Sequence, residues 1–489
     1  MTDLILVLDA GTTSTRAMAF ARDGALIGSA QRALTQHYPQ PGWVEHDPQE
    51  IWQATLACAR EVIGGAGGAA RFAGLGITNQ RETVVAWDRH TGEPLARAIV
   101  WQDRRTAQFC DTLRAAGHEA EVQRRTGLLL DPYFSGTKMR WLLDHSGEVA
   151  AAQEAGRLAF GTVESWLVFK LSGGEHLSDA SNASRTLLLA LDGGQFDEGL
   201  CELFGVPRGA LPEVVDCAGQ FGDTAPDLFD APIAIRGLAG DQQAATIGQG
   251  CLSPGEVKAT YGTGAFVLAN MGTALPRSRH RLLGTVLCQL GGVRTYALEG
   301  SVFVAGSLVQ WLRDSLGIIA SAAETAALAA SVPDSGGVVL VPALSGLGAP
   351  HWRPEARGSL TGLSFATTRA HLARAALEAM AGQTHDLMEA FAADGAPWAR
   401  LKIDGGMSAN DWLAQDLADI LALEVERPAF VETTALGAAM LAALSAGWFA
   451  SLDEAAAAMR GEVRRFAPAM AAGVRAGRLA SWGAALAKV

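Results

Sequence analysis

Cysteine is scarce in this chain of 489 residues, and basic residues are outnumbered by acidic ones. The cysteines form no Cys-x-x-Cys pair, and their scatter fits neither a zinc site nor a disulfide framework. Lys and Arg number 39 against 51 Asp and Glu, a formal charge of −12. The chain therefore lacks the basic face of a general nucleic-acid or anionic-membrane binder. The six thiols are expected to be reduced: Cys58, Cys110, Cys201, Cys217, Cys251 and Cys288.

Long hydrophobic runs are also missing. The first apolar run, Leu4 to Leu8, is short and follows Asp3 rather than a basic stretch, so no export signal is predicted. Residues 433–452 carry no charge, but they are mostly alanine with two glycines, which favours a buried core helix ending near Gly447 over a membrane span. These features predict a cytoplasmic protein without membrane insertion.

The common nucleotide signatures, Gly-x-x-x-x-Gly-Lys-Ser/Thr and a Gly-x-Gly-x-x-Gly turn after a strand, are absent. A different turn follows the first predicted strand: Asp9 precedes Gly11, Thr12, Thr13 and Ser14. Amides and hydroxyls of such a turn can face a phosphate, and a carboxylate at the strand end can hold hydrated Mg²⁺. The alternative is an ordinary Asp-Gly hairpin turn.

A second strand–turn–strand unit lies about half a chain later, where Gly262-Thr263-Gly264 separates residues 257–261 from 265–269. Two such turns across a cleft could hold one polyphosphate, and their recurrence indicates two related domains. The boundary is predicted near residues 248–255, which divides the chain into 1–248 and 249–489. Alternating helices and strands favour α/β domains with mostly parallel sheets.

Helix and strand signals are clear at several positions. Asp47 and Pro48 open a helix predicted to stop at Gly64-Gly65, and Asn410 opens another. Gly405-Gly406 before the latter suits a close backbone approach to a nucleotide, or a simple strand–helix connection. Strands are predicted at 72–78, 84–87 and 401–403, and helices at 368–391, 410–421 and 434–445.

Asp241 stands at a predicted strand-to-helix junction, where it could cap the helix, act as a general base, or do both. Arg81 and Glu82 end a strand and could form a solvated salt bridge. Trp101 and Phe266 could be ordinary core aromatics. From the residues alone, the chain is a two-domain α/β protein with a phosphate-binding cleft and an unidentified substrate.

Longer stretches of the sequence resemble the FGGY carbohydrate kinases. Both family signatures are intact, the first at Tyr133–His145 and the second at Gly358–Leu363 with His371, Leu372 and Ala375–Glu378. The resemblance runs from Leu4 to about Trp448. Further stretches are similar to those family members that act on glycerol: Pro41–Asp47, Gly76–Thr83, Ile99–Gln102, Asn182–Thr186 and Ala239–Gln243.

The resemblance implies two ribonuclease-H-like domains of the actin, hexokinase and Hsp70 type flanking a central cleft. It implies ATP-dependent phosphorylation of glycerol to sn-glycerol 3-phosphate with MgATP, Asp241 being the general base. Glycerol would be bound by Arg81, Glu82, Trp101, Tyr133, Asp241, Gln242 and Phe266. ATP or ADP would be bound by Thr12, Thr13, Ser14, Arg16, Thr263, Gly306, Gln310, Gly406 and Asn410.

Asp9 is the candidate Mg²⁺ ligand, through water. The expected partners are glycerol and MgATP, with no nucleic acid, and a homo-oligomer (dimer or tetramer) is expected. Two alternatives stay open: a family member specific for another polyol or a pentulose, and an ATP-driven binding module that shares only the first turn with actin and Hsp70.

Residues 222–233 depart from the family pattern. In some bacterial relatives, the resemblance implies, the matching loop carries glycines and an arginine and binds an inhibitory sugar bisphosphate. Here the segment holds three aspartates and two prolines, with no Lys or Arg before Arg236. Phosphates need cationic partners, so inhibition through this loop is not expected.

Overall fold

A computed structural model describes residues 2–353 and 355–489. The strands, in chain order, are β1 Leu4–Ala10, β2 Ser14–Ala21, β3 Leu26–Ala33, β4 Glu45–His46, β5 Phe72–Asn79, β6 Val85–Asp88, β7 Ala98–Ile99, β8 Leu158–Gly161, β9 Leu177–Asp179, β10 Glu213–Val215, β11 Ile235–Gly240, β12 Glu256–Tyr261, β13 Ala265–Gly272, β14 Leu283–Leu290, β15 Val293–Val302, β16 Val339–Val341, β17 Ser359–Thr361, β18 Arg400–Asp404, β19 Val425–Pro428 and β20 Val463–Phe466.

The α-helices are α1 Pro48–Ala66, α2 Ala107–Ala115, α3 Glu119–Thr126, α4 Ser135–His145, α5 Gly147–Glu154, α6 Val163–Ser172, α7 Ala180–Ala183, α8 Glu198–Phe204, α9 Asp241–Gly248, α10 Gly306–Asp314, α11 Glu324–Ala330, α12 Arg369–Ala393, α13 Asp411–Leu421, α14 Thr433–Ser445, α15 Leu452–Met459 and α16 Ala472–Leu486. Short 3₁₀ turns are formed by Ala69–Arg71, Arg208–Ala210 and Gly406–Ala409.

The two large sheets share one arrangement of five strands. The first has the order β3-β2-β1-β5-β11, and the second contains β15-β13-β12-β18-β19 between β14 and β20. In both, the first three strands are antiparallel neighbours and the last two run parallel to the third. This repeat confirms two ribonuclease-H-like halves, each built on one of the predicted strand–turn–strand units.

The prediction of mostly parallel sheets is wrong, because the sheets are mixed. β1 to β3 are joined by tight hairpin turns, and only antiparallel strands can be joined so closely. The parallel strands β5 and β11 are instead reached through helical crossovers. The parallel edge matters for function, since the carboxyl ends of β1, β5 and β11 meet there.

The predicted helices and strands are present, with one shifted end. Asp47 caps α1 by accepting a hydrogen bond from the Gln49 amide at 2.9 Å, but α1 continues through Gly64-Gly65. It ends at Gly67, whose φ of 92° lies in the left-handed region that favours glycine. The core helix α14 ends just before Gly447, as predicted.

The described residues include no helix long and apolar enough to cross a membrane. All six cysteines are free and buried.

The two halves pack through α9 and α14. A Cβ on Gly437 would lie 1.9 Å from the Ala244 carbonyl oxygen, and one on Gly248 would lie 2.0 Å from that of Thr433, so only glycine permits this approach. An apolar cluster around these helices joins Val7 of the first sheet to Leu268 of the second. Because α9 begins at Asp241, this packing fixes the candidate base relative to both halves. The predicted boundary near 248–255 falls between α9 and β12, and the division at residue 248 stays a prediction.

Candidate active site

Arg81 is the centre of one end of the cleft. It follows β5 and is 3% exposed, and the next residue, Glu82, is 1% exposed. A solvated salt bridge between them is therefore excluded. Glu82 has a φ of 61°, a strained value for a residue with a side chain. Strain of this kind is concentrated at functional sites, where surrounding contacts maintain it.

The donors of Arg81 are directed at several partners. Nη1 donates to Glu299 Oε2 at 2.6 Å and Nη2 donates to the Tyr133 hydroxyl at 3.4 Å. Nε lies 3.3 Å from Asp241 Oδ1. The guanidinium thus connects residues that are far apart in sequence, and it places a cation beside the candidate base.

Arg185 adds a second buried guanidinium. Its Nε donates to Glu82 Oε1 at 2.6 Å and its Nη2 to Glu299 Oε1 at 2.9 Å. Burial alone would raise the pKa of Glu299, but the charges of Arg185 and Arg81 hold it at about 2. For Glu82, burial outweighs the same arginines and the pKa is raised.

Asp241 is the first residue of α9, and Gly240 occupies the cap position, so the prediction of Asp241 as the cap residue is wrong. Its Oδ1 accepts from the Gln242 amide at 2.7 Å, and the helix N-terminus favours its negative charge. The side chain is 31% exposed. Burial raises the pKa of Asp241 above its usual value, and Arg81 and Lys258 partly offset this. A carboxylate of raised pKa is a better proton acceptor.

Three aromatic side chains border this end. The centre of the Trp101 ring lies 5.6 Å from that of Tyr133 and 6.3 Å from that of Phe266, and the ring planes meet at 79° in both pairs. All three residues are half-buried, so Trp101 and Phe266 are not ordinary core aromatics. Phe266 comes from β13 in the second half, and the indole Nε1 of Trp101 donates to Thr12 Oγ1 at 2.9 Å. Trp101 therefore connects this end of the cleft to the first predicted phosphate turn and to β13, the strand that follows the second turn.

The first turn joins β1 to β2 and is partly open to solvent. Beside it, Arg16 donates to Asp9 Oδ2 at 2.6 Å and to Glu432 Oε2 at 2.5 Å. Burial raises the pKa of Asp9, against the effect of Arg16. Thr12 and Thr13 lie in this turn, as predicted, and Ser14 is the first residue of β2. Asp9 is bound on one oxygen by Arg16.

The second turn packs against the start of α10. The Gly306 amide donates to the Gly262 carbonyl at 2.8 Å and the Ser307 amide to that of Thr263 at 3.1 Å. Gly406 follows Gly405, which has a φ of 83° and packs against Tyr261 at the end of β12. A Cβ on Gly405 would lie 2.6 Å from the Tyr261 carbonyl oxygen. Gln310 is exposed on α10. Asn410 caps α13 through Leu413 and donates to Thr325 Oγ1 at 3.1 Å, so its side chain has a structural role of its own.

Sequence reasoning missed several charged or polar residues of the site, all but one of which are buried. Lys258 donates to Gln242 Oε1 and to Thr260 Oγ1, and burial lowers its pKa. The available signal was a charged residue with an uncharged small or apolar residue on each side inside a strand, as at Lys258 in β12 and Glu299 in β15. The missed residues are Arg185, Gln243, Lys258, Glu299 and Glu432.

The donor set fits Mg²⁺ carried by a nucleotide better than a resident metal ion. Across residues 2–353 and 355–489, no three His, Cys, Asp or Glu side chains are close enough to hold a metal. Asp9 offers a carboxylate at a strand end, and Mg²⁺ in phosphate sites typically uses one or two carboxylates with water and phosphate oxygens.

Comparisons with known proteins define the class. The model of the FGGY family of carbohydrate kinases, N-terminal domain, matches residues 4–248, and that of the C-terminal domain matches residues 257–446. The chain belongs to the FGGY family of carbohydrate kinases.

Within that family, the chain is similar to curated glycerol kinases. That of Methylobacterium nodulans is 55% identical over 99% of this chain and 97% of the relative, and that of Rhodospirillum rubrum is 54% identical over 99% and 98%. Plasmodium falciparum glycerol kinase with ADP superposes with a TM-score of 0.94 at 35% identity, covering 100% of this chain and 98% of that one. Xylulose kinase from Rhodospirillum rubrum has a TM-score of 0.87 at 28% identity, covering 99% and 98%.

Proposed function

We propose that the chain transfers the γ-phosphoryl group of ATP to a primary hydroxyl of glycerol, giving sn-glycerol 3-phosphate and ADP. The reaction would be the first step of glycerol catabolism in the cytoplasm. Curated glycerol kinases more than 50% identical over nearly the whole chain support this substrate, and the similar Plasmodium structure described with ADP supports the nucleotide.

One observation carries the proposal: charged and aromatic groups suited to a small polyol converge where β5 and β11 end. Arg81 and Asp241 follow these adjacent parallel strands, with Tyr133 within 3.4 Å of Arg81. A three-carbon polyol presents hydroxyls on one side and a thin apolar edge on the other. Its hydroxyls would be bound by Arg81, Glu82, Tyr133, Asp241 and Gln242, and its carbon edge would lie against Trp101 and Phe266.

Asp241 would act as the general base. Its Oδ1 is held by the Gln242 amide and faces Arg81 Nε, so the carboxylate is oriented before substrate binds. It accepts the proton of the attacking hydroxyl as the oxygen bonds to phosphorus and ADP leaves. Because phosphoryl transfer has a loose transition state, that proton leaves late, and Asp241 also directs the oxygen in line with the phosphorus.

The nucleotide would lie between the two turns. Thr12, Thr13, Ser14 and Arg16 would face its phosphates from the first, and Thr263, Gly306, Gln310, Gly406 and Asn410 from the second half. Bound Mg²⁺ supplies charge neutralisation at the phosphates, and Asp9 would hold it through water. Arg16 would exchange Glu432 or Asp9 for phosphate oxygens and spread their charge. Closure of the two halves would exclude water.

The test is a coupled assay of ADP release with MgATP and glycerol, erythritol or xylulose as acceptors. We expect glycerol to have the highest kcat/KM and the product to be sn-glycerol 3-phosphate. A higher kcat/KM for erythritol or xylulose would assign the chain to another substrate of the family. No acceptor-dependent ADP release at all would favour a binding module.

A further inference from the structure

Glu299 is a buried carboxylate that reaches the polyol end of the cleft from the opposite half of the chain. It lies in the middle of β15, paired in register with Leu268 of β13 and Leu283 of β14, and is 0% exposed. Strands on both sides fix its backbone. The arginines that it contacts, Arg81 and Arg185, both lie within residues 4–248, which match the N-terminal family domain.

The contacts of Glu299 determine how the Arg81 guanidinium is turned. Oε2 accepts from Arg81 Nη1 at 2.6 Å, and Oε1 lies 3.3 Å from Arg81 Nη2. Two contacts to one planar guanidinium fix its rotation, which a single contact would not. In that orientation Arg81 Nε faces Asp241 and Nη2 faces Tyr133, the two groups expected to meet the substrate hydroxyls.

The charge balance of the cluster also depends on Glu299. Arg81 and Arg185 are countered by Glu82 and Glu299, all at 3% exposure or less. Without the Glu299 charge, two buried guanidinium groups would share Glu82, and Arg81 would be drawn to Asp241. A buried cation that loses its partner is costly, so Arg81 would change its position rather than stay unpaired.

We propose that Glu299 is a positioning residue of the polyol site, holding Arg81 in the orientation that receives a substrate hydroxyl. Because Glu299 reaches Arg81 from the second sheet, it also makes polyol binding depend on how the two halves are arranged. The inference rests on the proposed function, since it assumes that Arg81 contacts the polyol.

The test compares Glu299→Gln with Glu426→Gln. Glu426 is a matched control because it is also a buried glutamate of the second sheet that bridges two arginines, Arg400 at 2.9 Å and Arg465 at 3.0 Å. For Glu299→Gln we expect the KM for glycerol to rise by about 10- to 100-fold, the usual effect of losing a hydrogen bond to a charged group. The kcat at saturating glycerol should fall by a smaller factor, and the KM for ATP should stay within about twofold. Glu426→Gln should leave both KM values unchanged.

A purely structural role predicts a different result: a lower Tm with an unchanged KM for glycerol, which would overturn the proposal. Equal increases in both KM values would also overturn it. If Glu299→Gln does not fold, Glu299→Asp, which keeps the charge but withdraws it by one methylene, carries the same expectation. Wild-type protein that does not phosphorylate glycerol would refute the proposed function, whereas an active wild type with an unaltered Glu299→Gln KM would refute only this inference.

Discussion

The two ends of the cleft are built differently. At the proposed polyol end the groups are side chains withdrawn from solvent, with Arg81, Glu82, Arg185 and Glu299 joined in one ion network. At the proposed nucleotide end the groups are mainly backbone amides and hydroxyls of turns that contain glycine, and Thr13 and Thr263 are exposed.

The difference matches the ligands proposed for each end. A small neutral polyol offers few contacts, so discrimination depends on buried partners that would be left unpaired with the wrong molecule. A nucleotide brings several negative charges, which the amides of a turn and Arg16 can bind without an extensive buried network of side chains. Polyol-end variants should therefore alter catalysis and selectivity, and nucleotide-end variants should alter ATP binding alone.

The largest effect is expected for Asp241→Asn. The amide keeps the shape but cannot accept the proton, so kcat should fall by roughly 10²–10⁴-fold while ADP affinity is retained. Steady-state kinetics and ADP titration measure both. The matched control is Asp416→Asn, since Asp416 is a buried aspartate paired with Arg478 at 2.5 Å outside the cleft. A kcat above a tenth of normal for Asp241→Asn would reduce Asp241 to a structural residue.

The second largest effect is expected for substrate analogues, which should affect the polyol end but not the nucleotide end. Ethylene glycol and 1,2-propanediol each lack a hydroxyl that glycerol has, which would leave a buried partner such as Glu82 unpaired. We expect kcat/KM to fall by at least about 10²-fold for both, with the KM for ATP little changed. Near-equal turnover of ethylene glycol would contradict a pocket that recognises the hydroxyl pattern.

The turns at one end of the cleft can be recognised in the sequence, whereas the ion network at the other end cannot, for a physical reason. Turns leave local signals, because glycine and small polar residues such as Gly262-Thr263-Gly264 interrupt the apolar strands on either side. The partners of Arg81 leave none: Glu299 is 218 residues away in sequence, and its contact exists only because the two sheets pack through α9 and α14. For the same reason the sequence locates strands such as β5 and β18 correctly, whereas its prediction of mostly parallel sheets is wrong.

At the nucleotide end, Gly306→Ala should impair ATP binding selectively. A Cβ there would lie 2.5 Å from the Gly262 carbonyl oxygen, which would displace the second turn. Overpacking of this kind costs about 1–3 kcal/mol, so the KM for ATP should rise by roughly 10-fold and that for glycerol by less than about twofold. The control is Gly483→Ala on α16, where a Cβ meets nothing within 4 Å. An equal rise in both KM values would contradict the proposal that the two ends bind different substrates.

Glu432→Gln should act in the opposite direction and more weakly. Glu432 Oε2 pairs with Arg16 Nη1 at 2.5 Å and its side chain is 34% exposed, so Glu432 would compete with a phosphate for Arg16. Removing its charge should lower the KM for ATP by about 2- to 5-fold at low salt, and added salt should diminish the gain because exposed ion pairs are screened. Glu61→Gln, which breaks the exposed pair with Arg32, is the control. A higher KM for ATP would mean that Glu432 supports nucleotide binding.

Fructose 1,6-bisphosphate is expected to have no effect on activity through residues 222–233. Asp223, Asp227 and Asp230 are exposed on this segment. Arg236 is committed to main-chain carbonyls, those of Ala73 at 3.1 Å and Ser445 at 3.0 Å. Arg60 Nε donates to the Leu228 carbonyl oxygen at 3.1 Å, so this guanidinium also has a main-chain partner.

Each carboxylate within 4 Å of a phosphate charge would oppose binding by about 1 kcal/mol in bulk water, and by more where water is excluded. A symmetry-related copy would bring the same acidic segment and could not supply the missing cations from it. Millimolar bisphosphate at fixed free Mg²⁺ should therefore leave the rate of ADP release unchanged. Saturable, non-competitive inhibition that disappears in Arg60→Ala, which removes the guanidinium bound to this segment, would contradict this expectation and would reveal an anion site distinct from both ends of the cleft.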